Sequence, residues 1–384
     1  MSNLPKLKDF LRAVNAKRIS MHRCGKLVGF KYTNETIYAQ DWDEITLNAR
    51  GIVFDETTGM VVARPFKKFF NYQEFFDGEG NHSHLYDILP DEWKPNLSGH
   101  ARYMEKVDGS LGIVFWNPYT NKWQLKTGGS FDSEQAIWAQ KWFDSHIDTL
   151  YLIINRTYLF EIICNSDIHP INYDFEGMVL LSVISNKTGE EYSLDVIKQT
   201  AELLNVDMVK IYDFKHFDEA VKWAKKQPKT VEGLVITFDN GFKTKAKSDD
   251  WCALAKLYEG ISKWNIWICY DIEKDIFHAH VDKHNNYKPL DDEILFIPEE
   301  LTEYNEYAEY LRKTLETNTN EVLDIASKVK SLHSERKKQF EYVHTNYSEK
   351  WPSVMKALDY LVGKCNIKQV KQTVYKQLEP EPEK

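Results

Sequence analysis

A lysine just ahead of an Asp-Gly turn can serve as a nucleophile when the chain holds it at the mouth of a cleft. Lys106 has this setting, in Glu105-Lys106-Val107-Asp108-Gly109-Ser110-Leu111, between Tyr103-Met104 and the apolar run 112–116. Asp-Gly favours a turn, so Lys106 is expected where one strand ends and the next begins. An amine attacks phosphorus only when neutral. Its pKa near 10.4 must therefore fall by roughly 3 units, about 4 kcal/mol. Neighbouring cations and partial burial are the usual causes of such a fall. On its own the heptapeptide reads equally well as a surface lysine in a hairpin turn.

The surrounding residues tilt that balance. Lys243, Lys245 and Lys247 alternate in Gly-Phe-Lys-Thr-Lys-Ala-Lys-Ser, so in a strand their three ammonium groups share one face. Such crowding suits a polyanion such as a triphosphate, or else a solvated edge strand with gatekeeper lysines. Glu161 sits within the apolar run 158–164, and Glu232 opens Val231-Glu-Gly-Leu-Val-Ile-Thr-Phe238. A carboxylate in such a run is costly unless it meets a ligand, metal or cation, although each alone also fits a half-exposed strand. Gly233 would let the backbone approach a substrate closely. Arg50-Gly51, and Arg64-Pro with Lys67-Lys68 in the segment leading to Asn71, offer phosphate-binding groups or an exposed basic loop.

The elements that must position these groups are short strands with turns between them. Strands are expected over 51–55, 59–63, 111–116, 159–164, 178–184 and 234–238, with helices at 1–20, 133–143 and 217–226. That mixture predicts an α+β domain of antiparallel sheets with flanking helices, spanning 1–252. Beyond it, 299–344 and 348–378 carry helical periodicity and predict an all-helical C-terminal domain over 253–378. A Pro/Glu tail at 379–384 is expected to be disordered.

With 384 residues, two domains are expected. The 42% hydrophobic and 14% aromatic content is ample for packed cores. A net charge of −9 argues against a chain coated in basic residues, but leaves room for a local basic groove. The first eleven residues lack a signal-peptide core, and no run of about 18 apolar residues predicts a membrane helix. Five scattered cysteines without a CxxC pair fit reduced thiols better than disulfides or zinc. A cytoplasmic protein without membrane contact is expected. His278-Ala-His280 with His284 reads better as a charged connection than as a zinc site. Between Lys328 and Lys376, eleven Lys/Arg face four Asp/Glu, which suits either an RNA contact surface or a solvated helix face.

Taken in order and spacing, these motifs resemble the covalent nucleotidyltransferase superfamily, most closely the phage T4-type RNA ligase 1 family, over residues 28–252. The residues that carry the resemblance are Arg50-Gly51-Ile-Val-Phe, Arg64-Pro with Lys68-Phe-Phe-Asn71, Lys106-x-Asp-Gly-Ser-Leu and Ser130-x-x-Ser-Glu-Gln-Ala136. Phe160-Glu161, Leu180-Leu-Ser-Val183, Thr188-Gly-Glu190, Glu232-Gly233 and Lys245-x-Lys247-Ser-Asp continue it.

The resemblance implies an ATP-dependent ligase that forms lysyl-AMP on Lys106, transfers AMP to an RNA 5′-phosphate, and seals to a 3′-hydroxyl. It implies catalytic roles for Lys106, Glu161, Glu232, Lys245 and Lys247, and nucleotide contacts by these residues with Tyr32, Arg50 and Lys68. Glu232 is the candidate metal ligand, for magnesium or alternatively manganese. The implied partner is single-stranded or nicked RNA such as cleaved tRNA, acted on by a monomeric bacteriophage enzyme in the host cytoplasm. A DNA ligase, a capping-type nucleotidyltransferase and an inactive RNA-binding protein on the same fold are the competing readings. The chain departs from the family at Gly128, where a lysine is usual and Lys126 could substitute. It departs again at Trp251, in place of a tyrosine, and within Asp167-Ile-His-Pro170, in place of an arginine.

Overall fold

The computed structural model describes residues 6–75, 83–88, 94, 99–167, 169–277, 297 and 301–380. The expectations for His278, His280 and His284, and for tail residues 381–384, fall outside them. The chain divides into two compact units, Met1–Ala255 and Lys256–Lys384.

Three sheets build the first unit. Strands β1 (Ile19–Cys24), β2 (Leu27–Tyr32), β3 (Arg50–Asp55) and β4 (Val61–Ala63) pair antiparallel in that order. Helix α1 (Leu7–Asn15) covers this sheet, setting Phe10 against Phe30 and Phe54. The helix expected over 1–20 gives way to strand at Ile19, where β-branched and alternating residues replace the helical period. Short helices α2 (Asn34–Ala39) and α3 (Glu44–Asn48) fill the β2–β3 connection, the latter held by a reciprocal Asp43–Thr46 cap.

The second sheet has the order β10 (Gly177–Ser185), β9 (Arg156–Ile163), β7 (Ser110–Asn117), β8 (Lys122–Thr127). Helices α5 (Glu134–His146) and α6 (Leu194–Leu204) pack on it, joining Phe143 and Ile197 to Phe160 and Leu180 in one core. The third sheet has the order β11 (Ile211–Tyr212), β6 (Ala101–Glu105), β12 (Gly233–Phe238), β13 (Lys243–Lys247), β5 (Phe70–Asn71), backed by α7 (Phe217–Lys225). Only its β13–β5 pair is parallel among the named strands. Helix α4 (His84–Ile88) lies between β5 and β6 in the chain.

One connection matters most for chemistry. Strands β6 and β7 are consecutive in the chain yet belong to different sheets, so residues 106–109 cross between sheets instead of closing a hairpin. Met104, Val107, Ile163 and Val179 form an apolar cluster at the crossing. The loop that carries Lys106 is thereby anchored to both sheets.

The second unit follows from within α8 (Asp249–Gly260) and holds α9 (Lys263–Cys269), α10 (Thr302–Leu332), α11 (Arg336–Asn346), α12 (Trp351–Leu361) and α13 (Ile367–Lys376). Leu311, Leu315, Val322, Ala326 and Val329 line one face of α10 at helical spacing and meet Val354, Leu358, Val370 and Val374. A two-stranded ribbon, β14 (Tyr270–Asp271) with β15 (Ile276–Phe277), adds to these helices. Among the described residues, no helix is long and apolar enough to cross a membrane.

Candidate active site

The crossing brings together residues far apart in sequence. Lys106 leaves β6 with its backbone N–H bonded to the Gly233 carbonyl at 2.9 Å. Its ammonium donates to Glu232 Oε2 at 2.7 Å, while Lys247 Nζ lies 2.9 Å from Glu232 Oε1. One buried carboxylate therefore bridges two lysines, with 2% of Glu232 exposed. Burial alone would lower the Lys106 pKa, but Glu232, Glu161 and Asp108 outweigh it and raise the pKa above the usual lysine value. The fall expected from the sequence is absent. Glu232, hydrogen-bonded to the amine at 2.7 Å, favours its charged form.

Lys245 behaves in the opposite way. It has no hydrogen-bond or ion-pair partner among the described residues, and its pKa is lowered to about 7. Burial is the main cause, followed by Lys106, Lys247, Lys68 and Arg50. Lys243, on the same face of β13, instead pairs with Glu191 at 2.6 Å, as does Arg102 at 2.5 Å. The outermost of the alternating lysines is thus held in a structural ion pair, and the inner two face the site.

The remaining predicted residues gather around these lysines, within electrostatic reach of them or of one another. Lys68 lies over the rings of Tyr32, Trp42 and Phe70 at 5.0–5.6 Å, and its pKa is lowered chiefly by burial. Arg50 stacks over Phe69 at 4.6 Å and leaves a buried Nη1 without a hydrogen-bond partner. Glu161, on β9 opposite Leu111, is pushed up to about 7, mainly by burial, against the pull of Lys106 and Arg50. Arg64 does not join them. It is buried, and its Nε donates to the Asn186 carbonyl at 2.8 Å, a structural role.

Gly233 has a different reason from the one the sequence suggested. At φ +140, a Cβ there would sit 2.1 Å from the Ala246 oxygen. The close approach is to β13, opposite Lys247, and this fixes the register that aims Lys245 and Lys247.

A second group escaped the sequence reading. Asp108, 5% exposed, accepts from the Trp251 indole N–H at 3.0 Å and from the Ile171 N–H at 3.2 Å, and His169 Nδ1 lies 3.2 Å away. The Asp108 N–H donates to the Tyr173 hydroxyl at 3.0 Å. His169 Nε2 lies 3.0 Å from Asp167, and the two carboxylates raise its pKa to about 10 against the effect of burial. The sequence signals were the departures from the family pattern at Trp251 and within Asp167-Ile-His-Pro170, with nothing to join them to Asp108. No periodicity links His169 to Asp108.

A profile of the RNA ligase family, of T4 RNA ligase 1 type, matches residues 48–251, more than half of the chain. The chain belongs to the RNA ligase family. A provisionally named bifunctional polynucleotide kinase/RNA ligase of Autographa californica nuclear polyhedrosis virus is 25% identical over 245 residues. The match covers 58% of this chain and 33% of the viral protein, so the chain spans about a third of that relative's length. Among solved structures, a variant of the Naegleria gruberi RNA ligase with ATP and Mn shares 16% identity at a TM-score of 0.34, over 41% of this chain and 52% of the other. A provisionally assigned ATP-dependent DNA ligase of Aquifex aeolicus shares 14% at 0.43, over 68% and 66%.

The three family departures now have physical descriptions. Trp251 keeps a donor at its position through the indole N–H, and its ring lies 3.9 Å beneath Lys247 Nζ. Lys126 is fully buried, its Nζ bonded to the carbonyls of Thr127 at 2.5 Å and Gly128 at 3.3 Å. Those bonds point it into its own loop. In place of the arginine, the segment supplies His169 clamped between two aspartates.

Proposed function

We propose that this chain is an ATP-dependent RNA ligase that joins 5′-phosphate and 3′-hydroxyl ends through an AMP carried on Lys106. The observation that carries this reading is a single amine held 2.7 Å from a buried carboxylate, in a pocket walled by Arg50, Lys68, Lys245 and Lys247. Such a wall fits a triphosphate. The orphaned Arg50 Nη1 and the unpaired Lys245 are the groups that phosphate oxygens would satisfy.

In the first step the Lys106 Nζ attacks the α-phosphorus. The ammonium first gives up one proton, for which Glu232 is the nearest acceptor; then the N–P bond forms, the P–O bond to pyrophosphate breaks, and the second N–H proton is released to solvent. Lys245, Lys247, Lys68 and Arg50 offset the negative charge that gathers on the phosphates. Tyr32 and its aromatic neighbours wall the nucleotide side. Glu161 and Glu232 are oxygen donors of the kind magnesium or manganese accepts beside phosphate oxygens and waters. Bound there, such an ion would supply the positive charge that favours the neutral amine. AMP then passes to an RNA 5′-phosphate, and a 3′-hydroxyl displaces it. A cleaved tRNA presents ends that such an enzyme could rejoin.

The test is direct. Incubation with ATP labelled at the α-phosphate and a divalent metal should label the chain, and Lys106→Ala should not. Single Lys245→Ala or Lys247→Ala variants should label on the order of 100-fold more slowly. Label from GTP instead would assign a capping-type activity, and sealing of DNA but not RNA would assign a DNA ligase. An unlabelled wild-type chain would leave only a binding protein.

A further inference from the structure

The second unit contains a cleft of about 600 Å³ between α9, α12 and α13, within the size range of small-ligand sites. Its walls include Trp267, Ile272, Lys356, Gln372, Tyr375 and Lys376. The aromatic wall is fixed in place. The Trp267 and Tyr375 rings stack at 5.5 Å and 8°, the Trp267 Nε1–H donates to the Tyr375 carbonyl at 3.3 Å, and the Tyr375 hydroxyl donates to the Trp267 carbonyl at 2.5 Å.

The rim is cationic and unspent. Lys356 and Lys376 have no ion-pair partner among the described residues. Two of the carboxylates nearby in the chain are held by other cations, Glu273 by Lys368 at 2.7 Å and Asp359 by Arg336 at 2.7 Å. Over 336–376 there are nine Lys/Arg and three Asp/Glu, in a chain whose net charge is −9. The partly exposed Trp267 ring, backed by the buried Tyr375, an exposed amide at Gln372 and two ammonium groups without an ion-pair partner among the described residues fit a nucleobase together with its phosphate.

We propose that this cleft binds one nucleotide unit of the single-stranded RNA that the enzyme seals, an inference that rests on the ligase reading above. The base lies against the aromatic wall, the Gln372 amide meets its edge, and Lys356 and Lys376 hold the flanking phosphates. An acidic peptide would use the lysines but leave the rings idle. A free nucleotide would use both, without needing the basic helices around the cleft.

Fluorescence anisotropy of a labelled 5′-phosphorylated single-stranded RNA, titrated with the full chain across a salt series, tests the assignment. Lys356→Gln with Lys376→Gln should weaken binding about tenfold and flatten the log–log salt dependence by about 1.4, as expected for two lost single-strand phosphate contacts. Lys328→Gln with Lys337→Gln, which removes the same charge elsewhere, should change affinity less than about twofold. Photolysis of 4-thiouridine RNA should attach to the peptides that carry Trp267 or Tyr375. Equal weakening by the two double variants, crosslinks only elsewhere, displacement by polyglutamate at matched charge, or displacement by AMP at lower concentration than RNA would each overturn it. Labelling of Lys106 by ATP, read in the same preparations, separates the two readings. Label with RNA affinity unmoved by Lys356→Gln and Lys376→Gln removes the cleft. Cleft-dependent RNA binding without label removes the ligase.

Discussion

Lys106 is held as a paired ammonium, while Lys245 on β13, beyond β12, is held near neutrality with no ion-pair partner among the described residues. Binding of ATP should reverse the second condition, because phosphate oxygens favour the charged amine. With a pKa of about 7, Lys245 is mostly neutral at about pH 8 and should regain its proton when the triphosphate arrives. Calorimetry in buffers of different ionisation enthalpy should therefore show proton uptake with metal-free ATP at about pH 8, shrinking toward about pH 6. Lys245→Gln should remove most of that uptake, and release of protons by the wild type would refute the assignment. His169 makes a second titration argument, this one about folding. Its pKa is raised to about 10 by Asp108 and Asp167, against an unfolded value near 6.5. A raised folded pKa stabilises fully below about pH 6.5 and loses that stabilisation as pH rises through about 10. The stability difference between wild type and His169→Gln, from denaturant midpoints, should be largest at about pH 6 and should shrink toward about pH 10. A difference that is flat across this range would mean that His169 is not charged in the fold.

At the scale of elements, the site depends on a register and a crossing. Gly233 permits β12 and β13 to close at the level of Glu232 and Lys247, and φ +140 is open to few side chains. Gly233→Ala should cost about 1–3 kcal/mol in backbone strain alone, with more from the contact at Ala246. Chemical denaturation should show that loss, and Lys106 labelling should fall further than stability accounts for, since the same shift moves Glu232. Wild-type labelling in this variant would mean the register does not position the site. This element scale is also where sequence reading meets its limit. The strands around Lys106, Glu161 and Glu232 were legible because each is a short apolar run bounded by turn residues. Lys245 and Lys247 were legible because a period of two assigns a face without any knowledge of pairing. That Lys106 crosses between sheets was not legible, because an Asp-Gly turn looks the same in a hairpin. Nor was the depth of Arg64 and Lys126, since burial of a cation depends on partners such as the Asn186 carbonyl, 122 positions away. The sign of the Lys106 shift failed for the same reason. Composition shows that cations gather there but not that Glu232 hydrogen-bonds the amine.

At the scale of the whole molecule, the groups assigned to the chemistry all come from the first unit, Met1–Ala255. The second unit carries its own core, centred on Leu311, Leu315 and Val329 of α10, and the cleft beside Trp267. That division predicts separable losses. Leu311 is fully buried, and Leu311→Ala should cost about 2–5 kcal/mol through lost transfer energy and the cavity left behind. The helices that pack on α10 include α12 and α13, which carry Lys356 and Lys376, so the damage should reach RNA affinity first. Label from ATP on Lys106 should persist at temperatures where RNA binding by Leu311→Ala has already declined. The two activities measured on one preparation across a temperature series check this. Loss of both at the same temperature would mean that the adenylylation site depends on the helical core, and the assignment of chemistry to one unit and RNA contact to the other would fall.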